Sequence, residues 1–127
     1  MSDNIEMLQP EEVTQPIDII VPTHGRLDLT MGCINTIYEN TRAPFHLIVV
    51  DDSDIFNNLT SQYFDKLRLK HKNVTYIHGD KPYKSGNQIF NIGLQYGNSP
   101  FVATVMNSVR VEPDWDVAAL HLMQNNP

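Results

Sequence analysis

The first sixteen residues are polar and acidic, carry Pro10 and Pro16, and show no hydrophobic period. They read as a flexible leader, 1–16, ahead of a single domain over 17–127. From Ile17 onward apolar residues come in short bursts. Ile17-Asp18-Ile19-Ile20-Val21 is β-branched and halted by Pro22, which predicts a first strand. Cys33, Ile34, Ile37 and Tyr38 recur at helical spacing and predict a helix over 27–40. His46-Leu47-Ile48-Val49-Val50 predicts a second strand, and Leu59, Tyr63, Phe64 and Leu67 a helix over 57–70. Val74-Thr75-Tyr76-Ile77-His78 predicts a third strand, followed by a polar loop over 79–85. Ile89, Phe90 and Leu94 mark a helix over 86–96. Gly93 falls on its apolar face, where a missing side chain permits close packing. Phe101 to Val105 predicts a fourth strand, and Trp115 to Met123 a final helix.

Strands that alternate with helices predict right-handed crossovers and a mostly parallel central sheet, a three-layer α/β/α architecture. Burial on both faces explains why the strands are apolar runs rather than alternating ones. Ligands in such folds bind beyond the carboxyl ends of the strands. Four segments then matter: Pro22-Thr23-His24-Gly25-Arg26, Asp51-Asp52-Ser53-Asp54, the loop with Lys81 and Lys84, and Met106-Asn107-Ser108-Val109-Arg110. Carboxylates there can accept from a base or ribose, and Lys or Arg can neutralise phosphate. That mixture suits a nucleotide better than an apolar ligand.

Composition narrows the field. The 127 residues suffice for one domain. With 15 Asp and Glu against 9 Lys and Arg, the formal charge is −6, which disfavours charge-driven binding of nucleic acid or an anionic membrane. Runs such as Leu47 to Val50 are too short for membrane insertion. The lone cysteine, Cys33, excludes an internal disulfide. With the acidic start, it makes a soluble cytoplasmic protein the expectation. The first strand–helix turn has one glycine rather than G-x-G-x-x-G, and there is no P-loop, G-x-S-x-G elbow or H-E-x-x-H. The five histidines show no metal-ligand spacing, and His24 is the one whose location leaves its role open.

Taken in order, four pieces resemble the nucleotide-binding half of a family 2 glycosyltransferase, the GT-A fold. They are Ile19 to Arg26, Leu47 to Ser53, Gly86-Asn87 through Asn91-Ile92-Gly93-Leu94, and Val105 to Val109 with Val111-Glu112-Pro113-Asp114-Trp115. The resemblance implies a nucleotide-sugar ligand, UDP-linked. It implies that Pro22, Thr23 and Arg26 line the uracil and ribose side and that Asp52 accepts from the base, with Asp51 near the ribose. Asn91 would sit on the helix after a phosphate-side loop where Lys84 meets diphosphate.

Two features depart from the family. Its members carry an acidic motif after the fourth strand that holds Mg²⁺ or Mn²⁺ against the diphosphate. Here the matching positions are Met106, Asn107 and Ser108, with no carboxylate. Arg110 could supply the charge instead, although strand alternation equally allows it to point to solvent. The family's acceptor site and general base also belong to a C-terminal part of comparable size, which has no counterpart up to Pro127. Three readings follow: a glycosyltransferase donor half, a catalytically inactive binding module, or half of a split enzyme completed by a homodimer or second subunit.

Overall fold

The computed structural model describes residues 15–52, 59–78 and 86–125. The leader up to residue 14, Ser53, Asp54 and the Lys81/Lys84 loop lie outside the described residues. The elements are β1 (Ile17–Thr23), α1 (Leu27–Asn40), β2 (Phe45–Asp51), α2 (Leu59–Lys70), β3 (Val74–His78), α3 (Gly86–Leu94), β4 (Phe101–Thr104) and α4 (Trp115–Asn125). All strand pairings are parallel and the sheet order is β3-β2-β1-β4.

That order dictates the layers. The chain steps from β1 to β2 to β3 in one direction, then jumps back across the sheet to β4. With a fixed crossover hand, reversing direction sends the connecting helix to the opposite face. Accordingly α1, α2 and α4 cover one face and α3 the other. Ile19, Val21, Leu47 and Val49 meet Cys33, Ile34 and Ile37 of α1, Phe64 of α2, and Val117 and Leu120 of α4. Ile20, Ile48 and Val50 meet Ile89, Phe90 and Ile92 of α3. Each such fully buried aliphatic side chain contributes about 1.5–3 kcal/mol. Gly93 is where α3 touches the sheet: a Cβ there would lie 2.7 Å from Ile20 Cγ2.

β1 runs past Pro22 to Thr23, two residues beyond the stop that proline predicts. The reason is directional. The Ile20 carbonyl accepts from Val105 N–H and the Thr23 carbonyl from Asp52 N–H, so Ile20 and Pro22 face β4 while Thr23 faces β2. The missing Pro22 N–H is therefore lost from the β1–β4 ladder alone. That ladder ends at the Ile20–Thr104 pair, whereas β1–β2 pairing continues to Thr23–Asp51. A proline in a central strand thus lets β1 and β4 separate at their carboxyl ends.

Two buried carboxylates brace the frame away from that opening. Asp18 accepts from the Ser99 amide (3.0 Å) and hydroxyl (2.7 Å), holding the approach to β4. Asp116, with no exposed surface, accepts from the backbone N–H groups of Arg42 and Ala43 and ties α4 to the α1–β2 turn.

Candidate functional site

A shallow cleft of about 170 Å³ lies where β1 and β4 part, lined by Pro22, Thr23, His24, Asp52, Ile89, Met106 and Asn107. The strand order reverses direction there, and open α/β sheets bind ligands at such points. Pro22 and Asp52 follow the parity of Ile20 and Val50, on the α3 face. Asp51 follows Val49 to the other face.

Parity separates the two aspartates. Asp51 is 1% exposed and accepts a 2.5 Å hydrogen bond from the Tyr76 hydroxyl, with His78 Nε2 at 4.0 Å. Burial and this carboxylate push the Tyr76 phenol up from its ordinary range. Asp52 is 8% exposed, and its Oδ1 lies 2.5 Å from His24 Nδ1. The His24 side chain is 74% exposed, so a solvated imidazole rests on a buried carboxylate. The hydrogen bond to Asp52 raises the imidazole pKa, with its Coulomb field adding to the effect.

A polar chain forms the opposite wall. The hydroxyls of Thr23 and Thr30 share a hydrogen bond of 2.8 Å, and the Asn107 side-chain amide donates to Thr30 Oγ1 at 3.2 Å. The Cys33 thiol donates to the Met106 carbonyl at 3.5 Å, and burial pushes its pKa up to about 11. Gly25 and Arg26 both adopt positive φ, turning the chain sharply from β1 into α1.

Of the residues singled out from sequence, Pro22, Thr23, Asp52, Met106 and Asn107 line this cleft. Arg26 is exposed and forks onto Asp28 with two contacts of 3.1 Å. Asn91 is exposed on α3 outside the lining, as is Ser108 beyond β4, and Lys84 lies outside the described residues. Sequence reasoning missed Thr30 and Ile89 as parts of the site and left His24 without a role. The signal for His24 was its position directly after β1. Thr30 carried none, since its link to Asn107 spans 77 positions.

The residues at 106–110 do not fit a hard divalent cation, which needs carboxylate oxygens. They offer the Asn107 carbonyl and the Ser108 hydroxyl, both neutral, followed by a guanidinium. Among the described residues no three His, Cys, Asp or Glu side chains converge. Nor is any helix there long and apolar enough to cross a membrane.

Residues 18–127 match the family model described as Glycosyl transferase family 2. No curated protein matches the sequence. Among solved structures, the chain is similar to the mannosyltransferase PcManGT from Pyrobaculum calidifontis in complex with GDP-Man and Mn²⁺. The TM-score is 0.75 at 17% identity, over 94% of this chain and 35% of that one. It is also similar to S. aureus TarS 1–349 in complex with UDP-GlcNAc, with TM-score 0.73 and 20% identity over 87% of this chain and 31% of that one. GalNAc-T7 with UDP, GalNAc and Mn²⁺ gives TM-score 0.68 and 16% identity, over 82% and 20%. The chain spans about a third or less of the length of these relatives.

Proposed function

The chain belongs to glycosyl transferase family 2, and on that premise we propose that its cleft binds the nucleotide of a nucleoside-diphosphate sugar, UDP-linked, as the donor half of a glycosyl transfer. The observation that carries this reading is Asp52, a buried carboxylate at the strand-order reversal, flanked by the apolar surfaces of Pro22, Ile89 and Met106. A flat base with an N–H edge suits a slot that is apolar on its sides and anionic at its end. His24 engages Oδ1, and no described residue is bonded to Oδ2, which leaves it as the acceptor for a ligand. One free oxygen matches the single imide N–H of uracil better than the paired N–H donors of guanine. The cleft is smaller than the roughly 300–1,000 Å³ of a complete small-molecule site, so it suits the base, with ribose, diphosphate and sugar extending beyond it.

In the reaction that this reading implies, an acceptor hydroxyl attacks the anomeric carbon in line. The carbon–oxygen bond to diphosphate breaks, with inversion. The described residues bind and orient the donor. The acceptor site and the base that takes the hydroxyl proton would come from further chain, a second copy or a second subunit. The single buried thiol fits a reducing cytoplasm.

A second reading, a binding module without transfer activity, is favoured by the missing carboxylates at 106–110. Hydrolysis of a sugar nucleotide by the unmodified chain would count against it. Titration calorimetry with UDP, a UDP-sugar and GDP tests the main reading. Saturable heat for UDP, with GDP weaker, is expected. No heat and no thermal shift at millimolar ligand would overturn it.

A further inference from the structure

The wall after β4 has the wrong charge for a divalent cation and the right charge for the anion such a cation would serve. Of the four described arginines, Arg26, Arg42 and Arg68 pair with Asp28, Asp114 and Asp65, whereas no carboxylate among the described residues pairs with Arg110. A turn closed by Val109 N–H on the Met106 carbonyl (2.9 Å) folds the segment back onto α1. There the Arg110 guanidinium lies over Gly32, in space that a Cβ at that position would fill. The next residue of α1, Cys33, holds the Met106 carbonyl, and Met106 lines the cleft. Arg110 therefore follows directly on the turn that carries Met106 and Asn107, both of which line the cleft. Its Nη1 donates to the Val109 carbonyl at 3.3 Å, and its remaining donors are not bonded within the described residues.

Asn107 adds to this. Its amide nitrogen is committed to Thr30, which turns its carbonyl oxygen away as a neutral acceptor. Asp52, the one carboxylate among the described residues of the cleft lining, is held by His24. Among the described residues no pair of acidic oxygens is left for a metal, and an arginine fork matches phosphate oxygens directly.

We propose that this chain takes a nucleoside diphosphate without a divalent cation, Arg110 supplying the positive charge that faces the diphosphate. The proposal rests on the nucleotide reading above. It departs from what the family resemblance implies, a bound Mg²⁺ or Mn²⁺.

Three measurements on the full chain test it. Electron paramagnetic resonance of Mn²⁺ mixed with the protein alone should retain the free-ion signal. UDP affinity by calorimetry should change less than about twofold between EDTA and excess Mn²⁺. Arg110→Gln should weaken UDP by about tenfold or more, the usual scale for a charge-assisted contact, while leaving uridine, which has no phosphate, nearly unchanged. Arg110→Lys should recover part of the loss. Bound Mn²⁺, a tenfold gain in UDP affinity with Mn²⁺, or an Arg110→Gln variant that binds UDP normally would each overturn the proposal. If uridine binds and UDP needs metal, only this proposal fails. If neither uridine nor UDP binds in any condition, the nucleotide reading fails and takes this proposal with it.

Discussion

Asp116→Ala removes a carboxylate that has no exposed surface. Its two oxygens accept from Arg42 N–H at 3.1 and 3.0 Å, and Oδ2 also accepts from Ala43 N–H at 2.6 Å. Around it, the Asn40 amide donates to the Val111 carbonyl and the Trp115 indole to Thr41 Oγ1. The substitution deletes charge-assisted hydrogen bonds to two backbone donors. It also leaves the N–H of Ala43, itself 3% exposed, without an acceptor. At about 1.5–3 kcal/mol for bonds to a charged group, and a similar penalty for a stranded buried donor, the loss is about 3–5 kcal/mol. For a domain this size the melting temperature falls by roughly 10–20 °C. Asp116→Asn keeps one acceptor oxygen and should lose about half as much. Urea denaturation followed by circular dichroism, with an unchanged m-value, reads the difference. The Asn variant, still folded, should bind UDP as the parent does, because Asp116 lies outside the cleft. An Asp116→Ala variant within about 1 kcal/mol of the parent would refute this account of what holds α4 in place.

Three further predictions concern the site and its supports. Gly93→Ala forces a methyl against fully buried Ile20, at a cost of about 1–3 kcal/mol, offset by about 1 kcal/mol of helix propensity; net destabilisation by chemical denaturation is expected. His24, observed by NMR titration, should titrate above 6.5 and return to its ordinary range in Asp52→Asn. Because its folded pKa is raised, the stability from this pair is complete below the unfolded pKa and fades as pH rises through the folded value. Cys33, buried and with its pKa pushed up to about 11, should resist iodoacetamide at pH 8 in the native protein and react in denaturant, as read by mass spectrometry.

The layers were legible because both periodicities are written into the chain. The β-branched runs at Ile17 and Leu47 and the helical spacing of Cys33, Ile34 and Ile37 leave little choice of element. Proline misled at Pro22, since its effect depends on which neighbour the missing N–H faces, and sequence does not contain that orientation. The site was legible as a set of strand ends and less so as a set of side chains. Asp51 and Asp52 are adjacent in sequence, yet the pleat sends one to Tyr76 and the other to His24. Arg26 looked available for a ligand until the turn into α1 put it on Asp28. The Thr23–Thr30–Asn107 chain joins three elements, and only the folded backbone brings them together.

The central claim is that Asp52 receives the base of a bound nucleotide. Titration of UDP into the parent chain and into Asp52→Asn, both confirmed as folded, tests it most directly. The account predicts binding to the parent and an affinity loss of about tenfold or more in the variant, the scale of one hydrogen bond to a charged acceptor. Equal UDP affinity in the two proteins would contradict it.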